Sequence, residues 1–241
     1  MGLTRTLRKS LARCARRLVE LEDPTVYDSH PLVTASCIEH PGLVSRAAVV
    51  RNSVLTGHVK VADGAKIIDA RLAGPVSIGK WTTFNGPNSD VFAMVHQVSI
   101  GNFCSIARNV SIQEYDHRYD GITSYFIHAN VFGTEDKSQV TSKGGITIGS
   151  DVWIGTQSVI ISGAQIDTGA VIGANSVVNS HIPPYAIAVG SPAKVKEFRF
   201  PPEIVERLLS LEWWTWDIDR LRKNAHLFEG RLTESELATV V

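Results

Sequence analysis

The chain has 241 residues, of which 44% are hydrophobic and 20% charged, and its formal net charge is zero. The balanced charge argues against a dedicated nucleic-acid-binding protein, and no run of roughly 18 apolar residues is present that would span a membrane. No secretory hydrophobic segment follows the first residue, so a cytoplasmic location is expected. Cys14, Cys37 and Cys104 are odd in number and widely spaced, which predicts neither a disulfide framework nor a zinc cluster.

Residues 1–25 predict a basic amphipathic helix, because leucines recur among basic side chains. The leucines are Leu3, Leu7, Leu11, Leu18 and Leu21, and the basic residues are Arg5, Arg8, Lys9, Arg13, Arg16 and Arg17. Such a helix either covers the open end of a repeat structure or lies on a membrane surface. The covering role is the favoured interpretation.

The segment 98–195 is predicted as the core of the fold, because an apolar residue recurs in it at every sixth position. The clearest run is Ile148, Ile154, Ile160, Ile166, Ile172 and Val178. The residue two places before each is apolar or small, namely Ile146, Val152, Ser158, Ala164, Ala170 and Ser176. A period of six fits neither a helix nor a simple strand, and it is typical of a parallel β-helix built from hexapeptide repeats.

The same spacing extends towards the N-terminus, so residues 26–97 are predicted as further β-helix coils with an irregular segment. The positions are Ile100, Ile106 and Ile112, an earlier run of Val49, Leu55, Val61, Ile67 and Ala73, and then Ile78 and Phe84 after a slip of one residue. Two stretches break the repeat, at 85–97 and at 113–145. Insertions in repeat proteins form loops on one face, which is often the binding face, so we expect the chemistry in 113–145 first.

Residues 196–241 predict a C-terminal helical segment. A helix starts near Pro201-Pro202, since proline is favoured in a first helical turn. Trp213, Trp214 and Trp216 follow it. These rings either stack on a ligand or pack the segment against the β-helix, and packing is the favoured interpretation.

His117 is the strongest candidate for catalysis, because it lies in the long loop among other reactive polar groups. Histidine exchanges a proton near neutral pH, which suits a general base. Its ring could be oriented by Glu114, Asp116 or Asp120, or equally by a backbone carbonyl. Candidates for acceptor binding in the same loop are Asp116, Tyr119, Tyr125 and His128.

An ordered set of motifs over residues 98–228 resembles the xenobiotic acetyltransferase branch of the hexapeptide acyltransferases, which includes streptogramin and chloramphenicol O-acetyltransferases. The motifs are Gly101-Asn102-Phe103-Cys104-Ser105-Ile106, Asp116-His117-Arg118-Tyr119-Asp120-Gly121, Asp151-Val152-Trp153-Ile154-Gly155, Gly173-Ala174-Asn175-Ser176-Val177-Val178, Gly190-Ser191-Pro192-Ala193-Lys194 and Trp213-Trp214-Thr215-Trp216. The resemblance implies a mainly β, left-handed parallel β-helix that assembles as a homotrimer, with active sites between neighbouring subunits.

The resemblance also implies an acetyl-CoA-dependent acetyltransferase without a metal, in which His117 is the general base. Tetrahedral intermediates of this reaction need hydrogen-bond donors at the oxyanion. The residues that would bind the co-substrate by this resemblance are Trp153, Thr156, Ala174, Asn179, Ser180 and Lys194. A lysine near the CoA phosphates is physically reasonable, because its ammonium group is a compact positive charge.

The acceptor is expected to be a hydroxyl of an antibiotic-like molecule, or of a sugar or polysaccharide. Antibiotic-modifying members usually have Asn where Asp116 stands, and often Met where Tyr119 stands. These departures make a sugar hydroxyl at least as plausible an acceptor as an antibiotic. The main alternative is N-acetylation of an amino sugar, which uses the same fold and co-substrate. A γ-class carbonic anhydrase and a non-enzymatic scaffold are weaker alternatives, because the first needs three histidines on zinc and the second needs no loop histidine.

Overall fold

A computed structural model describes residues 33–240, which form a parallel β-solenoid of about eight turns followed by a short helical segment. The strands are β1 (Val33–Thr34), β2 (Cys37–Ile38), β3 (Val49–Arg51), β4 (Val54–Thr56), β5 (Val59–Val61), β6 (Lys66–Ala73), β7 (Val76–Ile78), β8 (Thr83–Phe92), β9 (Val98–Ile100), β10 (Ser105–Ile106), β11 (Ser111–Gln113), β12 (Asp116–His117), β13 (Val140–Thr141), β14 (Ile146–Ile148), β15 (Trp153–Ile154), β16 (Val159–Ile161), β17 (Gln165–Ile166), β18 (Val171–Ile172), β19 (Val177–Val178), β20 (His181–Ile182), β21 (Ala186–Val189) and β22 (Lys194–Phe198). The predicted mainly β, left-handed β-helix is confirmed.

The strands stack in parallel into three sheets, which form the three faces of a prism. The first face contains β1, β3, β10, β15, β18 and β21, with the starts of β6 and β8. The second contains β2, β4, β11, β16 and β19, with the ends of β6 and β8. The third contains β5, β7, β9, β14, β17 and β20.

We name the three edges of the prism by what they carry. The turn corner, between the first and second faces, includes residues 155–158, 173–176 and 190–192. The loop corner, between the second and third faces, includes 93–97, 113–145, 162–164 and 179–180. The helix corner, between the third and first faces, includes 101–104, 149–152, 167–170 and 183–185.

The six-residue spacing from Ile148 to Val178 is confirmed as the inward side of the coils. Each of its aliphatic residues is at most 2% exposed, and so is each small or apolar residue two places earlier. The thiol of Cys104 is also in the core, where burial raises its pKa to about 12. Cys37 is disulfide-bonded, which the spacing of the three cysteines does not predict, and the cellular compartment stays a prediction.

The spacing predicted for the N-terminal coils is wrong at both ends of its run. Val50 and Leu72 are fully buried, whereas Val49 and Ala73 are only half-buried. A coil here is seventeen residues long, as the pairing of Val33 with Val50 shows, so one of its three steps has five residues rather than six. The five-residue step cannot be recognised in the sequence, because an apolar residue also lies beside each of these inward residues.

The two predicted interruptions have different outcomes. Residues 85–92 are not a loop, because they belong to β8 and pair with β6 in parallel. Residues 113–145 do leave the prism, and the register closes across them, since Ser105 pairs with Trp153 just as Trp153 pairs with Val171. The loop is therefore an insertion into one coil that leaves the stacking of the coils intact.

Close stacking of the coils requires particular backbone conformations at the corners. Asn109, Asp151 and Asn175 have positive φ angles, and these residue types adopt the left-handed region more easily than most. A Cβ placed on Gly155 would lie 2.6 Å from the backbone nitrogen of Ala174 in the next coil. Only glycine allows the backbones to approach this closely.

The C-terminal segment packs along the helix corner. It contains α1 (Pro202–Leu211), α2 (Ile218–Lys223) and α3 (Glu234–Leu237), with 3₁₀ helices at Trp213–Thr215 and Ala225–Phe228. Asn102 Nδ2 donates to the Trp214 carbonyl at 3.1 Å, and the rings of Phe103 and Trp213 lie 5.1 Å apart. The packing interpretation of the tryptophans is confirmed for Trp214 and Trp216, which are buried.

Remaining features of the fold concern the N-terminus and short helices. The predicted helix at 1–25 lies outside the described residues. Further short helices are a 3₁₀ helix at Pro41–Leu43, a π-helix at His128–Phe132 and a 3₁₀ helix at Lys137–Gln139. None of the helices between residues 33 and 240 has the length and apolar character needed to cross a bilayer.

Replacing Ile148 with alanine should lower the free energy of unfolding by about 2–5 kcal/mol, because the change leaves a cavity in the inward stack. The matched control is Thr147→Ala, since Thr147 is exposed on the same strand and should change stability by no more than about 0.5 kcal/mol. Urea unfolding followed by circular dichroism measures both variants. Equal losses in the two would contradict the assignment of the inward face.

Candidate active site

The long loop is joined to the prism by a short antiparallel neck. In this neck, Asp116 pairs with Thr141 and His117 pairs with Val140. The backbone nitrogen of Arg118 donates to the Gln139 carbonyl at 3.0 Å and extends the ladder by one bond. His117 therefore sits on a hydrogen-bonded strand, although it belongs to an inserted loop.

The His117 ring is held by the backbone of its own loop. Its Nδ1 lies 2.6 Å from the Ser124 carbonyl oxygen, which can only accept, so Nδ1 carries the proton. The Phe126 ring lies against the imidazole with a centroid separation of 4.1 Å. Within residues 33–240, Nε2 has no hydrogen-bond partner, and the residue is exposed. The neutral ring thus presents an unprotonated Nε2 to solvent.

The Gln139 side chain fixes the segment that supplies the Ser124 carbonyl. Its Nε2 donates to the Tyr125 carbonyl at 3.1 Å, and its Oε1 accepts from the His128 backbone nitrogen at 3.2 Å. Gln139 also lies on the returning side of the neck, opposite Arg118. One amide therefore couples the neck to the segment that orients the His117 ring.

None of the three acidic residues considered as ring partners orients His117 in this way. Asp116 Oδ2 accepts from Ser162 Oγ at 3.1 Å, towards the body of the prism. Asp120 forms an ion pair with Arg118. Glu114 accepts from Ser142 Oγ and from backbone amides of the corner in the preceding coil. Of the alternatives that the sequence leaves open, the backbone carbonyl is the one observed.

Glu114 is fully buried, yet it is held as a carboxylate. Burial opposes its charge, but hydrogen bonds from Ser142 and from the amides of Met94, His96 and Val95 outweigh burial and hold the pKa of Glu114 below its usual range. Its position, where the loop leaves the second face, makes it part of the base of the neck.

Three of the four predicted acceptor-binding residues, Tyr119, Tyr125 and His128, lie on the outer part of the loop, whereas Asp116 lies in the neck. Tyr119 and Tyr125 are 86% and 54% exposed. Tyr119 lines an open groove of about 440 Å³ with Arg118, Asp120, Ser138, Val140 and Thr141. The His128 ring turns inward within the loop, since its Nδ1 lies 3.0 Å from Thr134 Oγ1 and its Nε2 3.4 Å from Asp136 Oδ2.

Four of the residues predicted to bind the co-substrate lie on or beside the turn corner. Trp153 is 55% exposed on the first face. Thr156 Oγ1 donates to the Arg108 carbonyl at 2.8 Å, and Ala174 lies one coil further along, exposed. Lys194 is exposed on β22, beside the turn at 190–192. Small residues beside a flat exposed ring leave the surface open there.

The other two predicted residues lie at the opposite edge of the second face. Asn179 and Ser180 are exposed at the loop corner, one coil beyond Ser162. Within one chain, the second face therefore separates them from Thr156 and Ala174. The structure does not bring the six residues together on a single subunit.

A separate cavity of about 340 Å³ lies at the helix corner, away from His117. It is lined by Asp151, Tyr185, Arg199, Trp213 and Trp216, among others. Arg199 Nη1 donates to Asp151 at 2.9 Å and to the Gly169 carbonyl at 2.7 Å. Burial raises the pKa of Asp151, and the nearby Arg199 offsets that effect only in part. These contacts fasten the C-terminal segment to the coils.

Three residues that shape the site cannot be recognised from the sequence alone, namely Ser124, Phe126 and Gln139. Their roles depend on a carbonyl, a ring face and an amide that come close only after the loop folds. Among the described residues, no group of three or more His, Cys, Asp or Glu side chains could hold a metal ion.

Comparisons with known proteins agree with the fold. The family profile described as bacterial transferase hexapeptide (six repeats) matches residues 145–180. A probable macrolide acetyltransferase of Lysinibacillus sphaericus is 40% identical over 146 residues, which cover 57% of this chain and 80% of that protein. A chloramphenicol acetyltransferase of Escherichia coli is 38% identical over 135 residues, covering 54% of this chain and 64% of its own length.

Among solved structures, the polySia-specific acetyltransferase NeuO superposes with a TM-score of 0.53 at 23% identity, covering 76% of this chain and 82% of that one. At this level of identity the likeness concerns the fold alone.

The hydrogen bond to Ser124 predicts that neutral His117 carries its proton on Nδ1 and not on Nε2. Long-range proton–nitrogen correlation spectra of protein labelled with ¹⁵N-histidine, recorded at about pH 8 where an ordinary histidine is neutral, measure this directly. The His117→Gln variant assigns the signal by its loss. A protonated Nε2 at this residue would contradict the described orientation.

Proposed function

The chain belongs to the xenobiotic acetyltransferase branch of the hexapeptide acyltransferases, and on this premise we propose that it transfers an acetyl group from acetyl-CoA to a hydroxyl of its acceptor, with His117 as the general base. The observation that carries this proposal is the state of the His117 ring. Its Nδ1 is engaged by a carbonyl, so Nε2 is the unprotonated nitrogen whenever the ring is neutral, and the residue is exposed.

The ring geometry defines the path of one proton. Nε2 removes the proton of the acceptor hydroxyl as the acceptor oxygen forms a bond to the acetyl carbon. The imidazolium then has protons on both nitrogens, and the Ser124 carbonyl dipole stabilises its charge. The proton on Nε2 passes to the departing sulfur as the carbon–sulfur bond breaks. General base catalysis of this kind contributes about 10²–10⁴-fold to a rate.

Acetyl-CoA supplies the activated acetyl group, and the turn corner offers residues that fit a long, thin co-substrate. Ala174 is small and exposed, so a chain can pass close to the backbone there. The exposed ring of Trp153 provides a flat wall, and the ammonium group of Lys194 provides a positive charge for phosphate. Asn179 and Ser180 would serve the same co-substrate from the loop corner of a neighbouring copy in a homotrimer.

The acceptor in this proposal is a bulky molecule that has both hydroxyls and apolar faces. The exposed loop side chains near His117 are Tyr119, Ile122 and Tyr125, and aromatic rings bind the apolar faces of sugars and of antibiotics alike. The groove beside Tyr119 adds Arg118, Asp120 and Thr141 as polar contacts. A sugar hydroxyl and an antibiotic hydroxyl are therefore both tested below.

The test is release of free CoA thiol from acetyl-CoA in the presence of chloramphenicol, a streptogramin, a macrolide, and simple or nucleotide-linked sugars and amino sugars. We expect His117→Ala to lower kcat/KM for the active acceptor by about 10²–10⁴-fold. The control is His226→Ala, since His226 lies in the C-terminal segment and bonds Thr239, and this variant should retain full activity.

Mass spectrometry of the product distinguishes the outcomes. An ester product supports the proposal and names the acceptor class. An amide product on an amino sugar would show that the protein catalyses N-acetylation and not O-acetylation. Undiminished thiol release by His117→Ala would refute the assigned base.

A further inference from the structure

One buried carboxylate joins three segments at the base of the long loop. Glu114 Oε2 accepts from the backbone nitrogens of Met94 at 3.0 Å and Val95 at 2.9 Å. Glu114 Oε1 accepts from Ser142 Oγ at 2.6 Å. Glu114 lies where the loop leaves the prism, Ser142 lies where it returns, and residues 94–95 form the same corner of the preceding coil. All three contacts converge on a side chain that is fully buried.

The contact between Glu114 and Ser142 lies directly below the neck that carries His117. The next pairs outward along the neck are Asp116 with Thr141 and His117 with Val140. Ser142 Oγ also accepts from the Gly144 backbone nitrogen at 3.0 Å, which fixes the returning chain as it rejoins the coil. The two strands of the neck are therefore held together at their base by the hydrogen bond between Glu114 and Ser142.

Loss of the contact between Glu114 and Ser142 would displace both elements that position the His117 ring. One is the strand that carries His117, and the other is the returning strand, on which Gln139 holds the segment next to Ser124. Because the ring makes one hydrogen bond, to the Ser124 carbonyl at 2.6 Å, and its stacking partner Phe126 lies on the same segment, a shift of about 1 Å between the strands would alter the direction of Nε2. Displacements of this size cost enzymes up to about 10²-fold in rate.

We propose that Glu114 is a positioning residue for His117, and that its ionised carboxylate, by binding both ends of the loop and the preceding coil, sets the direction of the catalytic imidazole. An ionised carboxylate fits this site best, because the two backbone amides can only donate. An amide or a protonated acid would turn a hydrogen towards Ser142 Oγ, which would then lose its 2.6 Å bond to Glu114 and could donate only to the Gly144 carbonyl at 3.3 Å. The activity part of this inference rests on the proposed function, whereas its structural part does not.

The experiment compares Glu114→Gln, Ser142→Ala and Glu39→Gln with the wild type. Glu39 is a matched control, since it also follows a second-face strand and its carboxylate accepts from the Gly57 backbone nitrogen at 2.8 Å, but no loop is inserted there. The readouts are kcat and KM for acetyl-CoA, hydrogen exchange of peptides covering 115–141, and the ¹⁵N signals of His117.

We expect Glu114→Gln to lower kcat by about tenfold or more while KM for acetyl-CoA changes less than about twofold. It should also speed exchange across 115–141 and remove the preference of His117 for a protonated Nδ1. Ser142→Ala, which keeps the charge and removes one donor, should change the same readouts in the same direction but less. Glu39→Gln should change none of them.

Faster loop exchange in Glu114→Gln with unchanged kcat would overturn the inference, because the carboxylate would then stabilise the loop without positioning the base. If Glu114→Gln does not fold, Ser142→Ala carries the same test. If the wild type transfers acetyl to no acceptor, the proposed function fails, but loop exchange and the His117 signals still decide the role of Glu114. If neither loop exchange nor the His117 signals change in Glu114→Gln, the proposed role of Glu114 is refuted.

Discussion

The structure depends on one repeated contact, the stacking of an inward aliphatic side chain on its equivalent in the next coil. Ile154 pairs with Ile106 on one side and Ile172 on the other, and all three are fully buried. This column contributes hydrophobic burial only while successive backbones remain at strand spacing. Gly155 permits that approach at a corner where a Cβ would meet the next coil. The regular spacing of the apolar residues and the small residues at the corners thus serve the same requirement, which is the close stacking of successive coils.

A prism built in this way accepts a long insertion with little disturbance. Each coil contacts only its neighbours, so the stacking needs the two ends of the loop to be close and nothing else from it. The ends are joined by Glu114 and Ser142, and the coil continues from Gly145 in register. The proposed base benefits from this arrangement, because the loop carries His117 away from the prism and the backbone of the loop itself orients the ring.

The sequence was sufficient to predict what the repeat determines and insufficient for what depends on folding of the loop. Ile148 to Val178 lie inward as their spacing predicts, and the excursion at 113–145 was placed correctly. Val50 was missed because Val49 beside it is equally apolar and the coil contains one five-residue step. The sequence does not identify the group that orients His117, since the Ser124 carbonyl is a backbone atom that every residue possesses. Gln139 acts through contacts that no local pattern indicates.

The positions of the proposed site residues restrict how a complete site can form. His117 is three residues beyond Glu114 on the loop corner, whereas Thr156 and Ala174 lie on the turn corner. The strand Val159–Ile161 separates these corners, and three residues of strand extend about 10 Å. Reacting atoms must approach within about 3–3.5 Å. If the turn corner binds acetyl-CoA, a loop corner from a second copy would bring a histidine to it, and the proposed trimer is an arrangement that supplies such a copy.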